Sequence, residues 1–205
     1  MPRVLDAPGA RLLMLWRRLS PLPGGVWLFN RLLGWMVPYT GALGARVIEV
    51  SPGHAVVVLH DRRRVRNHLD SVHAVALVNL AELCSGTAML TALPAGMRGI
   101  VTRLEIDYLK KARGTLRAHS DVRFPDPLAA GLLVPEACIV DDAGDAVARA
   151  RITWSVQSTR TPASAPACAP ACAPASAPAS APASAPASAP ESRPPGASAR
   201  TTGPR

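Results

Sequence analysis

The sequence predicts an α+β fold in which one long buried helix is wrapped by an antiparallel sheet of about six strands, with short helices at the N-terminus. Three observations predict it. Residues 72–93 are apolar almost throughout and carry no polar stripe, which marks a helix covered on nearly all sides. Two β-branched runs precede that stretch and four strand-like runs follow it. Short turn sequences separate neighbouring runs, as hairpins require.

The elements follow in order. Residues 1–36 form an apolar and aromatic segment with Trp16, Trp27, Phe29 and Trp35. Within it Arg11 to Leu19 and Val26 to Val37 read as short helices, separated by Pro21, Pro23 and two glycines. They are expected to pack on the domain as a cover. The alternative is an anionic membrane surface, a peripheral contact that Arg17, Arg18 and Arg31 would favour. Residues 37–158 form the main domain. Ala45–Val50 and His54–His60 flank Ser-Pro-Gly and read as a hairpin. Asp70 or Ser71 is the expected cap of the long helix. Val72 to Leu93 would be about 33 Å long at 1.5 Å per residue, and Pro94 with Gly96 ends it. Strands are expected at Gly99–Leu109, Gly114–Val122, Leu132–Asp141 and Ala146–Gln157, the last two joined by a tight turn at 141–145.

Residues 159–205 are different in kind. Eleven of the 21 prolines fall there, and from Ala165 the chain repeats Ala-Pro-Ala-Cys and then Ala-Pro-Ala-Ser. With a proline in every repeat and no large apolar residue after Val156, this tail is expected to be disordered. Cys168 and Cys172 read as drifted serine positions, since nothing nearby completes four metal ligands. Four arginines against one glutamate take +3 of the formal +9 into the tail, which leaves +6 on residues 1–158.

Composition narrows the classes. About 158 residues can bury one real core. No run is expected to span a bilayer, which takes about 20 apolar residues. No secretory leader is expected, because Leu12–Trp16 is short and runs into Arg17 and Arg18. Four cysteines do not make a disulfide scaffold. A cytoplasmic location is the expectation. His54, His60 and His68 have no metal-ligand spacing, and neither a metal nor a cofactor is expected.

Three features carry chemistry. Between His73 and Leu83 the buried helix has two polar residues, Asn79 and Glu82. A carboxylate among apolar neighbours is costly unless it is paired or used, and desolvation lifts its pKa toward the range of a general base. Asn79, Glu82 and Ser85 are three residues apart and share a face. The helix start offers free N–H groups and a positive dipole end to a developing oxyanion, with His73 in the first turn; a structural role for His73 weighs nearly equally. Asn67 can serve the site or simply bond loop backbone. Finally, Arg62, Arg63, Arg64 and Arg66 cluster beside the helix start, and Lys110, Lys111 and Arg113 form a second cluster. Arginine suits phosphate. Aromatics are few and no nucleic-acid motif is present, so a phosphorylated carrier is preferred to nucleic acid.

These residues together resemble the hotdog-fold acyl-CoA thioesterases, in particular a thioesterase-like, largely uncharacterised bacterial family related to the phenylacetic-acid-degradation type. That family's pattern is an Asn before the helix, His-Gly-Gly at its start, and an acidic residue nine positions after the His. Asn67, His73 and Glu82 match it. Ile106 to Gly114 resembles the family's strand leading into a basic loop. The likeness covers roughly residues 37–157. It implies a homodimer, or a dimer of dimers, with sites between subunits. Glu82 would activate water or attack the thioester carbonyl. Amides near His73 and Ala74 of the other subunit would polarise that carbonyl, and Asn67 would orient water. The arginine and lysine clusters would hold coenzyme A phosphates, with the acyl chain along the helix. The substrate would be an acyl-CoA or another acyl thioester. Ala74 and Val75 replace the two glycines. Their side chains stand where the carbonyl would approach, which keeps a non-catalytic acyl-CoA- or lipid-binding protein as the alternative. An enoyl-CoA hydratase or dehydratase using His73 with Glu82 ranks third.

Overall fold

A computed structural model of the chain describes residues 8–124 and 128–159. The expected disorder of the tail beyond Thr159 lies outside the described residues. Four α-helices and seven strands are described: α1 (Pro8–Leu19), α2 (Gly25–Met36), α3 (Pro38–Leu43), β1 (Arg46–Ser51), β2 (His54–His60), α4 (Ala74–Ala92), β3 (Met97–Tyr108), β4 (Thr115–Asp121), β5 (Gly131–Leu133), β6 (Glu136–Val140) and β7 (Ala146–Ser158). A single 3-10 turn, Arg63–Val65, lies between β2 and α4.

The strands form one antiparallel sheet in the order β1-β2-β4-β6-β7-β3, and β5 also pairs with β7. The expected strand 132–141 is two strands. Pro135 has no N–H to give to a ladder, so the chain breaks there and resumes pairing with β7 on either side. β3 ends the order, and none of its twelve residues is fully buried.

The helix α4 lies across the sheet. Leu80, Ala81, Cys84, Ala88 and Met89 are fully buried against Val57 and Leu59 of β2, Leu116 and Ala118 of β4, and Ile139 and Ile152 beyond them. By length and composition α4 could cross a bilayer, contrary to the reading of the sequence above. It instead spends its apolar surface on the sheet. The helix starts later than its composition suggests and is capped by neither Asp70 nor Ser71. Val72 donates to the Ala112 carbonyl (2.8 Å) and His73 to the Val65 carbonyl (2.8 Å), which pin both residues in extended backbone. His73 is therefore the N-cap, at φ −63° and ψ 140°.

The N-terminal helices share this core. Trp16 and Phe29 meet edge to face, ring centroids 5.0 Å apart, and belong to the same buried cluster as α4. Asn30 of α2 imitates a strand: its Nδ2 donates to the Val47 carbonyl (2.8 Å) and its Oδ1 accepts from the Val47 N–H (2.7 Å). The short helix α3 is absent from the sequence reading. Pro38 occupies its first turn and Gly44, at φ 78°, closes it, which is the usual proline-in, glycine-out arrangement. Where α1 crosses α4, Gly9 lies so close that a Cβ there would strike the Leu90 carbonyl. Gly9→Ala is expected to push α1 off α4 and cost about 1–3 kcal/mol in chemical denaturation; an unchanged midpoint would show that α1 yields freely.

Candidate functional site

The bare part of α4 defines the site. From Ala76 onward most of its residues are buried, yet Val78, Asn79 and Glu82 are only half-buried and Val75 is 51% exposed. These positions recur every three or four residues and form one strip on the helix. Ser85 does not join it. It is fully buried and its hydroxyl donates to the Glu82 carbonyl (3.2 Å).

Glu82 is the ionisable group on that strip. Its carboxylate has no hydrogen-bond or ion-pair partner among the described residues, and burial raises it above the ordinary glutamate range. Gly86, one turn on, keeps the neighbourhood open: a Cβ there would sit 3.3 Å from the Trp154 ring and 3.9 Å from Glu82 Oε1. Trp154 Nε1 and Asn79 Oδ1 are buried polar atoms without partners among the described residues. Asn79 Nδ2 donates to Thr40 Oγ1 (3.2 Å) and so ties α3 to α4. Unsatisfied buried groups are costly in a finished fold, and here two of them flank an unpaired carboxylate.

The second part is the start of α4. Asn67 Oδ1 accepts from the N–H groups of Leu69 (2.9 Å) and Ser71 (3.3 Å), so its side chain braces the loop. Asp70, the one described non-glycine residue at positive φ (52°), sits inside that brace. His73 Nδ1 accepts from the Val75 N–H (3.1 Å). The Ala76 and Leu77 amides donate to the His73 carbonyl. That accounts for the first-turn donors except the Ala74 N–H, which has no acceptor among the described residues. The His73 amide is likewise taken, by Val65. A polarising donor at this helix start is therefore the Ala74 amide alone. Sequence reasoning did not assign a role to Tyr108, whose hydroxyl donates to the Ala74 carbonyl (3.3 Å) from the end of β3. Burial raises its pKa, which keeps it a donor. Its place directly before the basic loop was the available signal.

The basic residues divide. Arg66 is held by Asp61 (2.6 Å) and is raised by that hydrogen bond. Lys110 bonds both Asp141 and Asp145 (2.6 Å each), which raises the amine and lowers the Asp141 carboxyl. Arg113 donates to the Asp70 carbonyl (3.2 Å). These three hold loops together. Arg62, Arg63, Arg64 and Lys111 have no carboxylate partner among the described residues. Arg62 and Arg64 line an open cavity of about 880 Å³ alongside α2 and α3, which also takes in Trp27, Arg31 and Trp35 and reaches Leu83 of α4. Cys84 is no nucleophile, since burial pushes its thiol up to about 12. Among the described residues no group of three or more His, Cys, Asp or Glu is placed to hold a metal ion.

Ala74 and Glu82 lie eight residues apart on one straight helix, about 12 Å along its axis. A single protomer cannot bring both to one carbonyl.

Comparison with known proteins bears on the family and the fold. A family model described as a domain of unknown function, DUF4442, matches residues 25–156. A structural-genomics crystal structure shares 34% identity, covering 73% of this chain and 98% of that one, with a TM-score of 0.64. A Pseudomonas aeruginosa protein of unknown function, described as a "probable thioesterase", shares 22% identity over 67% of this chain and 97% of its own, with a TM-score of 0.58. The PaaI protein of the E. coli phenylacetic acid degradation operon shares 23% identity over 62% of this chain and 92% of its own, with a TM-score of 0.51. No curated protein matches. The architecture is the hotdog fold of thioesterase-family and PaaI-type proteins.

Proposed function

The chain belongs to the DUF4442 family, a domain of unknown function, and from that premise we propose that it hydrolyses acyl thioesters, with acyl-CoA or acyl-carrier thioesters as substrates. The observation that carries the reading is the unpaired, half-buried carboxylate of Glu82 on the bare strip of α4. A carboxylate held there as a general base takes the proton of water as the water attacks the thioester carbonyl. The Ala74 N–H, at the positive end of the helix, then donates to the oxyanion that forms. Collapse of the tetrahedral intermediate expels the thiolate, which takes up a proton to leave as thiol. Direct attack by the carboxylate is the other route, through an anhydride that water then cleaves.

The 12 Å between the two groups along α4 favours a homodimer, in which Glu82 of one protomer meets the Ala74 amide of the other. The outer edge of β3 is free of any strand among the described residues and offers the join. In this reading Arg62, Arg63, Arg64 and Lys111 meet coenzyme A phosphates, while Arg66, Lys110 and Arg113 keep that surface in shape. Asn67 and His73 act on loop and cap geometry, and a cytoplasmic setting fits the substrate.

The exposed Val75 side chain and the capture of its N–H by His73 favour a second reading, an acyl-CoA-binding protein without turnover. Incubation with a panel of acyl-CoAs decides between them. Thiol release supports the hydrolase. Thermal stabilisation without release supports the binder. Neither result in any acyl-CoA would refute both.

A further inference from the structure

The outer face of α2 has no partner among the described residues. Trp27, Arg31 and Trp35 form one row at i, i+4 spacing, and Leu28, Leu32 and Met36 form the row beside it. All five apolar members are exposed, Trp35 at 82% and Met36 at 64%. The strip continues through Val37 and Tyr39, both exposed. Phe29 of the same helix is completely buried and Asn30 pairs with the Val47 backbone, so α2 is anchored with this strip outward. A contiguous apolar patch of this kind marks an interaction surface.

Charge selects the occupant. From Ala7 to Ile48 the sequence has five arginines (Arg11, Arg17, Arg18, Arg31 and Arg46) and no carboxylate. Arg31 lies within the strip, and with Trp27, Leu32 and Trp35 it borders the open cavity that Arg46, Arg62 and Arg64 also line. A second copy docked across a two-fold axis would set this cationic face against itself. An anionic bilayer complements it. Tryptophan and tyrosine rings favour the water–lipid boundary. A short helix lying in that plane buries its apolar rows in the acyl boundary while its arginines reach phosphate. We propose that α2 and the start of α3 form a docking surface for an anionic membrane, with lipid phosphates as the recognised chemistry.

The proposal does not depend on the thioesterase reading, and its test does not use turnover. The full chain is mixed with vesicles of phosphatidylcholine, with and without phosphatidylglycerol, and binding is read by co-sedimentation and tryptophan emission. The expected result is binding to the anionic vesicles, a blue-shifted emission, and loss of binding as salt is raised. Met36→Ser combined with Tyr39→Ser, and separately Arg31→Glu, should each weaken binding about tenfold or more. Met36 and Tyr39 lie outside the cavity lining, so thermal unfolding and cleavage of a short soluble acyl-CoA should not change. Absence of binding to anionic vesicles, equal binding without phosphatidylglycerol, or binding that the variants leave intact would overturn the proposal. So would self-association that the Met36→Ser/Tyr39→Ser variant abolishes, since that assigns the face to a second copy.

Discussion

Glu82→Ala is expected to lower thiol release by about 10²–10⁴-fold, the usual contribution of a positioned general base, while acyl-CoA still stabilises the protein against heat. The Glu82 carboxylate has no ion pair or hydrogen bond to lose among the described residues, so its removal should act on turnover and spare the fold. The sign of the stability effect follows from linkage. The folded carboxyl has a raised pKa, caused by burial, so between the unfolded and folded values the native state binds more protons than the unfolded chain. Stability contributed by the protonated form is present below the unfolded pKa and is lost as pH rises through the folded one. Glu82→Gln should therefore raise the unfolding temperature at neutral pH, and the gain should vanish in acid. Activity runs the other way. The base form appears as pH rises, so the acidic limb of the rate profile should lie above the ordinary glutamate range. Full activity in Glu82→Ala, or a neutral-pH Tm lower in Glu82→Gln than in the parent chain, would remove Glu82 from this role.

Phe29→Ala is expected to cost about 3–5 kcal/mol in chemical denaturation, the range for deleting a buried aromatic ring. Phe29 is completely buried and meets Trp16 edge to face at 5.0 Å, inside the cluster that includes α4. The unfolding transition should stay single and move to lower denaturant, because α1 and α2 share the core with the sheet. A loss below about 1 kcal/mol, or a separate early transition, would instead make residues 1–36 an appendage.

The long helix could be read from the sequence because burial on nearly all sides leaves a continuous apolar run. Most strands could be read because each alternates or is β-branched between turn residues. Pro135 was visible in the sequence, yet its effect depends on pairing with β7, which no local pattern carries. The helix α3 is too short for periodicity to reveal it. The spacing of Asn67, His73 and Glu82 was visible, and the structure sets the first two at the start of α4 and the third on its bare strip. Side-chain commitments were not visible. Whether Lys110 faces a ligand or the carboxylates of Asp141 and Asp145 depends on where two distant turns fold. Whether His73 offers its ring or spends it on the Val75 amide depends on one cap geometry.

In the proposed homodimer, one site takes Glu82 from one protomer and the Ala74 amide from its partner. Ala74→Pro removes that amide at little structural cost. The position opens the helix, its N–H has no acceptor among the described residues, and His73 already has the extended backbone that a following proline requires. Glu82→Ala and Ala74→Pro chains are each expected to be inactive alone. Mixed, unfolded and refolded together, they form heterodimers in which one of the two sites has both groups intact, and about a quarter of the parent activity should return in a random mixture. No recovery in a mixture shown to contain heterodimers would contradict the shared site.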